Sequence, residues 1–191
     1  MINFKEFEEA GRALFEEGII HSTSGNFSRR DGDVFYITAH DCLLGNIRPE
    51  NIIRVNVSNK KLDRGTSVEV DVHRSIYNAT EYLAVVHAHP VFATVLSFGE
   101  DIIKPADAEG FFYLPAVPVL DVVDTIGSEG AVLKIPPALK KFPACIVRSH
   151  GSWVAGKSLS DCYKMTSVLE SACKILYYKK ILEKIPNGGK I

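Results

Sequence analysis

The sequence has few of the residues that build disulfide scaffolds or thiolate metal sites. Only four of its 191 residues are cysteine, and no two of them form a Cys-x-x-Cys pair. Small secreted scaffolds are dense in cysteine, and structural zinc sites usually place their cysteines at short spacing. Neither kind of site is therefore indicated by the four scattered cysteines, which are Cys42, Cys145, Cys162 and Cys173.

A charge excess and a long apolar run are absent as well. The 22 basic side chains are balanced by 23 acidic ones, for a net charge of −1, whereas nucleic-acid and acidic-membrane surfaces need a basic excess. Every apolar stretch is far shorter than the roughly 20 residues of a membrane span. Met1–Ala10 carries four charged side chains instead of the apolar run of a signal peptide. We expect no nucleic-acid partner, no membrane partner and a cytoplasmic location.

What the chain does contain is the composition of a globular domain, with 46% hydrophobic and 24% charged residues. Its length fits a single domain over residues 1–191. Helical and strand periodicities alternate, which predicts one α/β domain whose helices cover a central, mostly antiparallel sheet. The predicted helices are Phe4–Phe15, Thr66–Ala79, a helix opening at Pro90, and Asp161–Ile185. The predicted strands are a hairpin over Phe27–Thr38, then Ile52–Val57, Leu83–His87, Pro115–Val123 and Ala144–Arg148.

Histidines stand at the ends of two of these apolar strands. His87 and His89 are two residues apart, so on a strand their side chains point to the same face and can chelate one ion. His150 follows the strand that begins at Ala144, and the three imidazoles converge if both strands lie in one sheet. Three nitrogen ligands with one exchangeable position are typical of catalytic zinc. The alternative is that His87 and His89 are two histidines at a strand end, one of which caps the helix opening at Pro90, and that His150 is a loop histidine near the surface.

Glu69 is a candidate fourth group at this site. An alternative is equally consistent with the local sequence, because Thr66-Ser67-Val68-Glu69 fits a capping box in which the glutamate reaches back to the cap amide. That alternative predicts Glu69 in the first turn of a helix. Upstream, the polar segment Ser22–Asn26 can offer hydroxyls and amides to a phosphate or carboxylate, although most such segments are only loops.

Taken together, these motifs resemble the class II aldolase/adducin family. The resemblance extends from about Ile2 to Leu182, and its pattern is most similar to that of the short L-fuculose-phosphate-type aldolases. It is carried by four segments, Thr23-Ser24-Gly25-Asn26-Phe27-Ser28, Ser67-Val68-Glu69, His87-Ala88-His89 and Ser149-His150-Gly151.

The resemblance implies an α/β/α sandwich with a mixed, mostly antiparallel sheet, assembled as a C4 homotetramer with active sites between neighbouring subunits. It implies Zn²⁺ bound by His87, His89 and His150, with Glu69 as an exchangeable ligand that leaves the metal to act as a base. The implied phosphate-binding residues are Thr23, Gly25, Asn26 and Ser67. The implied partners are a small sugar phosphate or hydroxy-ketone and an aldehyde.

Family members include aldolases, a 4-epimerase, a dehydratase, decarboxylases and the non-enzymatic adducins. The complete histidine set argues against an adducin-like scaffold, and the resemblance implies that a glutamate at position 69 belongs to an aldolase. Glu109 and Tyr113 both remain candidates for the second acid–base group. We therefore predict reversible aldol cleavage through an ene-diolate. The alternatives are another lyase or epimerase reaction of the family, a non-catalytic metal-binding scaffold, and a protein without metal.

Two departures from the family pattern bear on the substrate. Ala39-His40-Asp41 stands where family aldolases usually have Pro-(Thr/Ser)-Gly, and Val68 stands where they often have a second serine. Asp41 would repel an anion. A substrate without phosphate is therefore an alternative to the sugar phosphate.

Overall fold

The computed structural model of the protein describes residues 2–60 and 63–185. Within these ranges the chain forms eight strands and six α-helices, and no helix is long and apolar enough to cross a membrane. The strands are β1 (Asn26–Asp31), β2 (Val34–Thr38), β3 (Ile52–Asn56), β4 (Ala84–Ala88), β5 (Ile102–Ile103), β6 (Val117–Leu120), β7 (Ala144–Val147) and β8 (Gly151–Gly156). The helices are α1 (Phe4–Glu16), α2 (Val70–Ala79), α3 (Val91–Ser97), α4 (Ala108–Tyr113), α5 (Glu129–Leu139) and α6 (Leu159–Leu182).

The strands form one sheet in the order β3-β2-β1-β4-β8-β7-β6-β5. Every neighbouring pair is antiparallel except β6 and β7, which run parallel. The predicted hairpin is present, with Asp31 paired to Val34 across a two-residue turn that places Gly32 at a φ of 62°, as glycine-containing hairpin turns favour. The predicted mixed, mostly antiparallel sheet is confirmed.

Helices cover both faces of the sheet, because successive side chains of its central strands point to opposite sides. In β4, Val86 packs in the cluster that contains residues of α1 and α6, whereas Val85 packs in the cluster that contains residues of α2 and α5. Helices α3 and α4 lie against α6 on the first face. The result is the predicted α/β/α arrangement, with a hydrophobic core on each side of the sheet.

Several boundaries differ from the sequence prediction. Helix α2 begins at Val70 rather than at Thr66, and Glu69 is its N-cap residue without a side-chain capping bond. The capping-box alternative is therefore wrong, because the Glu69 carboxylate contacts Asn26 and His87 instead of turning back along its own chain. Helix α6 begins at Leu159 and is capped by Ser158, whose hydroxyl accepts from the Asp161 amide.

Four elements had no clear sequence signal, and one of them is the two-residue strand β5. Helix α4 is only six residues long, and α5 contains two consecutive prolines, Pro136 and Pro137, which mask its helical pattern. Strand β8 directly follows the turn at His150 and inserts between β4 and β7. Pro186–Ile191 is Gly-rich, which predicts a loose tail, and it lies outside the described residues.

Candidate metal centre

The three candidate histidines meet at one end of the sheet. Strand β8 is antiparallel to both of its neighbours, so β4 and β7 run in the same direction and end at the same edge. His87 lies in β4 and His89 follows it, whereas His150 lies in the short turn that joins β7 to β8. One ring nitrogen from each histidine lies within 4.8 Å of the others. The convergence predicted from the two strand ends is confirmed.

The turn at His150 depends on unusual backbone conformations. Ser149 adopts a φ of 61° and its amide donates to the Ser97 hydroxyl. A side chain at Gly151 would place its Cβ 2.4 Å from the Ala88 carbonyl oxygen and 2.8 Å from Cδ2 of His89. Only glycine fits there, because β8 must approach β4 closely at the point where the histidines gather.

The protonation of His87 is fixed by its second nitrogen. Nδ1 lies 2.9 Å from the Ser152 carbonyl oxygen, which only accepts, so Nδ1 carries the proton and Nε2 presents a lone pair. That lone pair lies 2.9 Å from Nε2 of His89. Burial holds the pKa of His87 well below its usual range and lowers the pKa of His89 to about 4. Burial also lowers the pKa of His150.

Neutral imidazoles whose lone pairs face one another repel unless a proton or a cation lies between them. Nδ1 of His150 is likewise buried and has no hydrogen-bond partner among the described residues. This donor set fits one divalent cation, which would satisfy the bare nitrogens together.

Glu69 adds a carboxylate to the cluster. Its Oε2 lies 3.2 Å from Nε2 of His87 and accepts from Nδ2 of Asn26 at 2.9 Å. Its Oε1 is buried without a partner in the described part of the chain. Burial raises the pKa of Glu69 to about 7, although the hydrogen bond from Asn26 and the nearby Gly127 amide lower it. A buried carboxylate with Oε2 beside a bare imidazole nitrogen and Oε1 unpaired has the geometry of a metal ligand or of a base.

A cleft of about 150 Å³ opens over the cluster. It brings together all four residues predicted to bind phosphate, namely Thr23, Gly25, Asn26 and Ser67. The two departures also line it, since Asp41 and Val68 are exposed at its surface. The polar loop therefore lies beside the histidines, where the family resemblance implied it.

Glu109 and Tyr113 are not brought to this cleft. Both lie on α4, where Glu109 is exposed beside α6 and the Tyr113 hydroxyl is hydrogen-bonded to Lys164 at 2.8 Å. Neither residue lines the cleft at the histidines within the same chain. A role for either one in the reaction would require it to reach the cleft of another copy.

Two residues of the site were not predicted from the sequence. Trp153 stacks on the His87 ring with a centroid distance of 4.3 Å, and His73 is fully buried behind Asn26. His73 had a usable signal, because it lies four residues after Glu69 on a predicted helix and therefore on the same face. Trp153 had none, since β8 was not predicted.

Comparison with known proteins agrees with this architecture. The sequence model of the Class II Aldolase and Adducin N-terminal domain matches residues 5–177. The chain belongs to the class II aldolase/adducin family. This membership covers nearly the span over which the motifs predicted it.

Solved and curated relatives within this family carry more than one reaction. The crystal structure of L-fuculose-1-phosphate aldolase from Thermus thermophilus is 35% identical with a TM-score of 0.92, over 96% of this chain and 97% of that one. An L-fuculose phosphate aldolase of Methanocaldococcus jannaschii is 25% identical over 183 residues, covering 94% of this chain and 98% of its own. A methylthioribulose-1-phosphate dehydratase of Methylococcus capsulatus is 30% identical over 181 residues, covering 86% and 88%. These relatives make the chain similar to enzymes of both reaction types.

Proposed function

We propose that this class II aldolase-family protein is a zinc-dependent lyase that catalyses reversible aldol cleavage of a small sugar phosphate or a related hydroxy-ketone. The observation that carries the proposal is the contact between Oε2 of Glu69 and Nε2 of His87 at 3.2 Å, inside a cluster of neutral histidines. Relatives named as L-fuculose phosphate aldolases support the choice of reaction.

The metal ligands in this proposal are His87, His89 and His150, with Glu69 as a fourth, exchangeable one. Neutral imidazoles and a carboxylate suit Zn²⁺, and three protein nitrogens leave a position open for substrate. When bound, the ion supplies a Lewis acid that stabilises negative charge on the substrate oxygens as the carbon–carbon bond breaks.

Glu69 is the base that moves the proton of the donor substrate towards an ene-diolate. Burial raises the pKa of its carboxyl to about 7 in the metal-free protein, which suits exchange of protons near neutral pH. Asn26 holds Oε2, so the unpaired Oε1 is the oxygen that would face the reacting carbon.

The cleft residues Thr23, Gly25 and Ser67 would bind the end of the substrate remote from the reacting carbons. Hydroxyls and free amides suit a phosphate, whereas Asp41 at the cleft surface suits a neutral hydroxyl better. Both a phosphorylated and a non-phosphorylated donor are therefore included in the proposal.

A neighbouring subunit would supply Glu109 or Tyr113 as the second acid–base group of each site. Support comes from α4 itself, because its Phe111 and Phe112 are 61% and 77% exposed. Such large apolar side chains on one short helix are typical of an interface. We propose that a homotetramer covers them and brings α4 to the adjacent cleft.

A dehydratase is the second candidate, because one relative with that name is 30% identical over most of the chain. Epimerase and decarboxylase reactions of the family would proceed through the same kind of ene-diolate. A non-catalytic metal-binding scaffold is the candidate from another class. Its four ligands would saturate the coordination of the metal and leave no exchangeable position.

Metal content and product analysis separate these candidates. The purified protein is analysed for bound metal and then incubated with dihydroxyacetone phosphate and a panel of small aldehydes. We expect one zinc ion per chain and carbon–carbon bond formation between the two substrates. Absence of any metal would refute the whole proposal, and metal without an aldol product would favour the dehydratase or the scaffold.

A further inference from the structure

A buried series of hydrogen bonds leads from helix α2 through strand β1 to the candidate base. The Tyr77 hydroxyl lies 2.6 Å from the Ser28 hydroxyl, which lies 2.6 Å from Nδ1 of His73. Nε2 of His73 lies 2.5 Å from Oδ1 of Asn26, and Nδ2 of Asn26 donates to Oε2 of Glu69. An unbroken series of side-chain hydrogen bonds therefore connects the Tyr77 hydroxyl to the Glu69 carboxylate.

Regular geometry places these residues in two facing rows. Glu69, His73 and Tyr77 are spaced four apart, so they lie on one face of α2 and its N-cap. Asn26 and Ser28 are two apart in β1, so their side chains leave the same face of the sheet. The two rows interdigitate, and every member is at most 5% exposed, which leaves little room for water to replace any of them.

The chemistry of each atom fixes the direction of every hydrogen bond. An ionised carboxylate only accepts, so Asn26 turns its amide nitrogen towards Glu69 and its carbonyl oxygen towards His73. That oxygen also only accepts, so Nε2 of His73 must carry a proton. Burial holds the pKa of His73 at about 3, so the ring is neutral and Nδ1 accepts from Ser28. The Ser28 oxygen then accepts from Tyr77.

We propose that His73 is a positioning residue for the reaction assigned to Glu69. Its Nε2–H fixes the Asn26 amide in the one orientation that donates to Oε2, and Oε1 is left free for the substrate. The two ends of an amide have nearly the same shape, so without a directional partner Asn26 can rotate by half a turn. Its oxygen would then face the Glu69 carboxylate and repel it. The inference rests on the proposed function of Glu69.

Substitution of His73 by glutamine or by asparagine distinguishes the roles of its two ring nitrogens. In His73→Gln the longer side chain carries an amide N–H close to the position of Nε2, so the donor to Asn26 is retained. In His73→Asn the shorter side chain reaches Ser28 but not Asn26. We expect the asparagine variant to lose roughly 10- to 100-fold in kcat with little change in KM, as for other residues that orient a ligand from behind. The glutamine variant should retain most of the kcat.

Loss of stability alone is controlled on the same helix. Ile76 is fully buried on α2 and takes no part in the hydrogen-bond series. Ile76→Val and Ile76→Ala lower the stability of α2 by a small and a larger step. If lost stability caused the decrease in kcat of His73→Asn, the Ile76 variants would lose kcat in proportion to the decrease in their unfolding midpoints. We expect them to keep their kcat.

A measurement on the whole metal-loaded protein tests the proposal without turnover. Selective ¹⁵N-histidine labelling reports which ring nitrogen of His73 carries the proton, and the His73→Gln spectrum identifies its signals. We expect protonation at Nε2 and a bare Nδ1. We also expect zinc affinity, measured by competition with a chromophoric chelator, to fall in His73→Asn and to be preserved in His73→Gln.

Protonation of His73 at Nδ1 would overturn the proposal, and so would equal kcat values and zinc affinities in the two amide variants. Failure of the proposed function gives a different result, namely a wild-type protein that binds zinc but forms no aldol product. In that event the ring protonation and the two zinc affinities still decide whether His73 orients Asn26.

Discussion

The indole of Trp153 lies almost parallel to the imidazole of His87, with 17° between the two ring planes and 4.3 Å between their centroids. Trp153 is fully buried and is the only tryptophan of the chain. Because Trp153 contacts a candidate metal ligand, the tryptophan fluorescence of the protein reports on this one site.

This contact predicts that metal binding changes tryptophan emission. Adding Co²⁺ to chelator-treated protein should quench the emission in proportion to occupancy, because an ion held by His87 would be separated from the indole by one imidazole. Titration in a fluorimeter measures the effect, and Zn²⁺ should compete with it. His89→Ala removes one ligand without touching Trp153. Equal quenching in that variant would show that Co²⁺ binds elsewhere.

Substitution of Glu69 separates metal binding from proton transfer. Glu69→Gln keeps the shape of the side chain and the three histidines, so zinc should remain largely bound. Removing a general base costs typically 10²- to 10⁴-fold in rate, and we expect a loss in that range in steady-state assays. Glu81→Gln, an exposed residue outside the cleft, is the matched control. If the Glu69 variant retains activity, Glu69 is not the base.

A substitution at Gly151 tests the metal centre without replacing any of the candidate ligands. In Gly151→Ala the new Cβ would meet the Ala88 carbonyl and lie 2.8 Å and 3.1 Å from atoms of the His89 and His87 rings. The rings must move, so zinc affinity should fall by roughly 10-fold or more, with a stability loss of about 1–3 kcal/mol. Chelator competition and urea unfolding measure the two effects.

Gly99→Ala is the control for this substitution. Gly99 has open space where a Cβ would stand and a backbone conformation that alanine adopts. Its zinc affinity should equal that of the wild type. The steric account of the site would be contradicted if both alanine variants bound zinc equally.

The sequence was sufficient to predict the histidine cluster, and the reason is geometric. His87 and His89 share a face through the two-residue period of a strand. His150 joins them because β4 and β7 end at the same edge, although β8 separates them. The inference also requires the two strands to lie close together in one sheet, and in the structure only β8 stands between them. The strand period and the two strand ends therefore predict these ligands once that proximity is assumed.

The carboxylate and its support could not be predicted in the same way. A capping box and a tertiary contact fit the segment before Val70 equally well, and Asn26, 43 residues away, decides between them. Asn26 was predicted as a substrate ligand, yet both ends of its amide are engaged by Glu69 and His73. The missed strand β8 likewise concealed Trp153. Contacts between distant segments carry this information.

Burial of His73 predicts a specific dependence of stability on pH. Its pKa is lowered to about 3 in the folded protein, against about 6.5 in an unfolded chain. Between these values the unfolded state binds more protons, so the contribution of His73 to stability is lost as pH falls below about 6.5. The stability of the wild type relative to His73→Gln should decrease by about 1.4 kcal/mol per pH unit.

Urea unfolding of the two chelator-treated proteins at pH 7.5, 6.5, 5.5 and 5.0 measures this difference. The comparison cancels the other titrating groups, including Glu69, whose raised pKa acts in the opposite direction. A difference that does not change with pH would mean that the pKa of His73 is not lowered in the folded protein.

The proposed sharing of sites between subunits predicts complementation between two inactive variants. Glu69→Gln inactivates the cleft of its own chain, whereas a variant with both Glu109→Gln and Tyr113→Phe inactivates the cleft of its neighbour. In a mixed ring, a site is intact when the second variant contributes the cleft and the first contributes α4. Random mixing of equal amounts in a closed ring therefore restores about a quarter of the sites. Activity after co-refolding measures this, and the separately refolded variants are the controls. If each chain completed its own site, the mixture would have no more activity than its components.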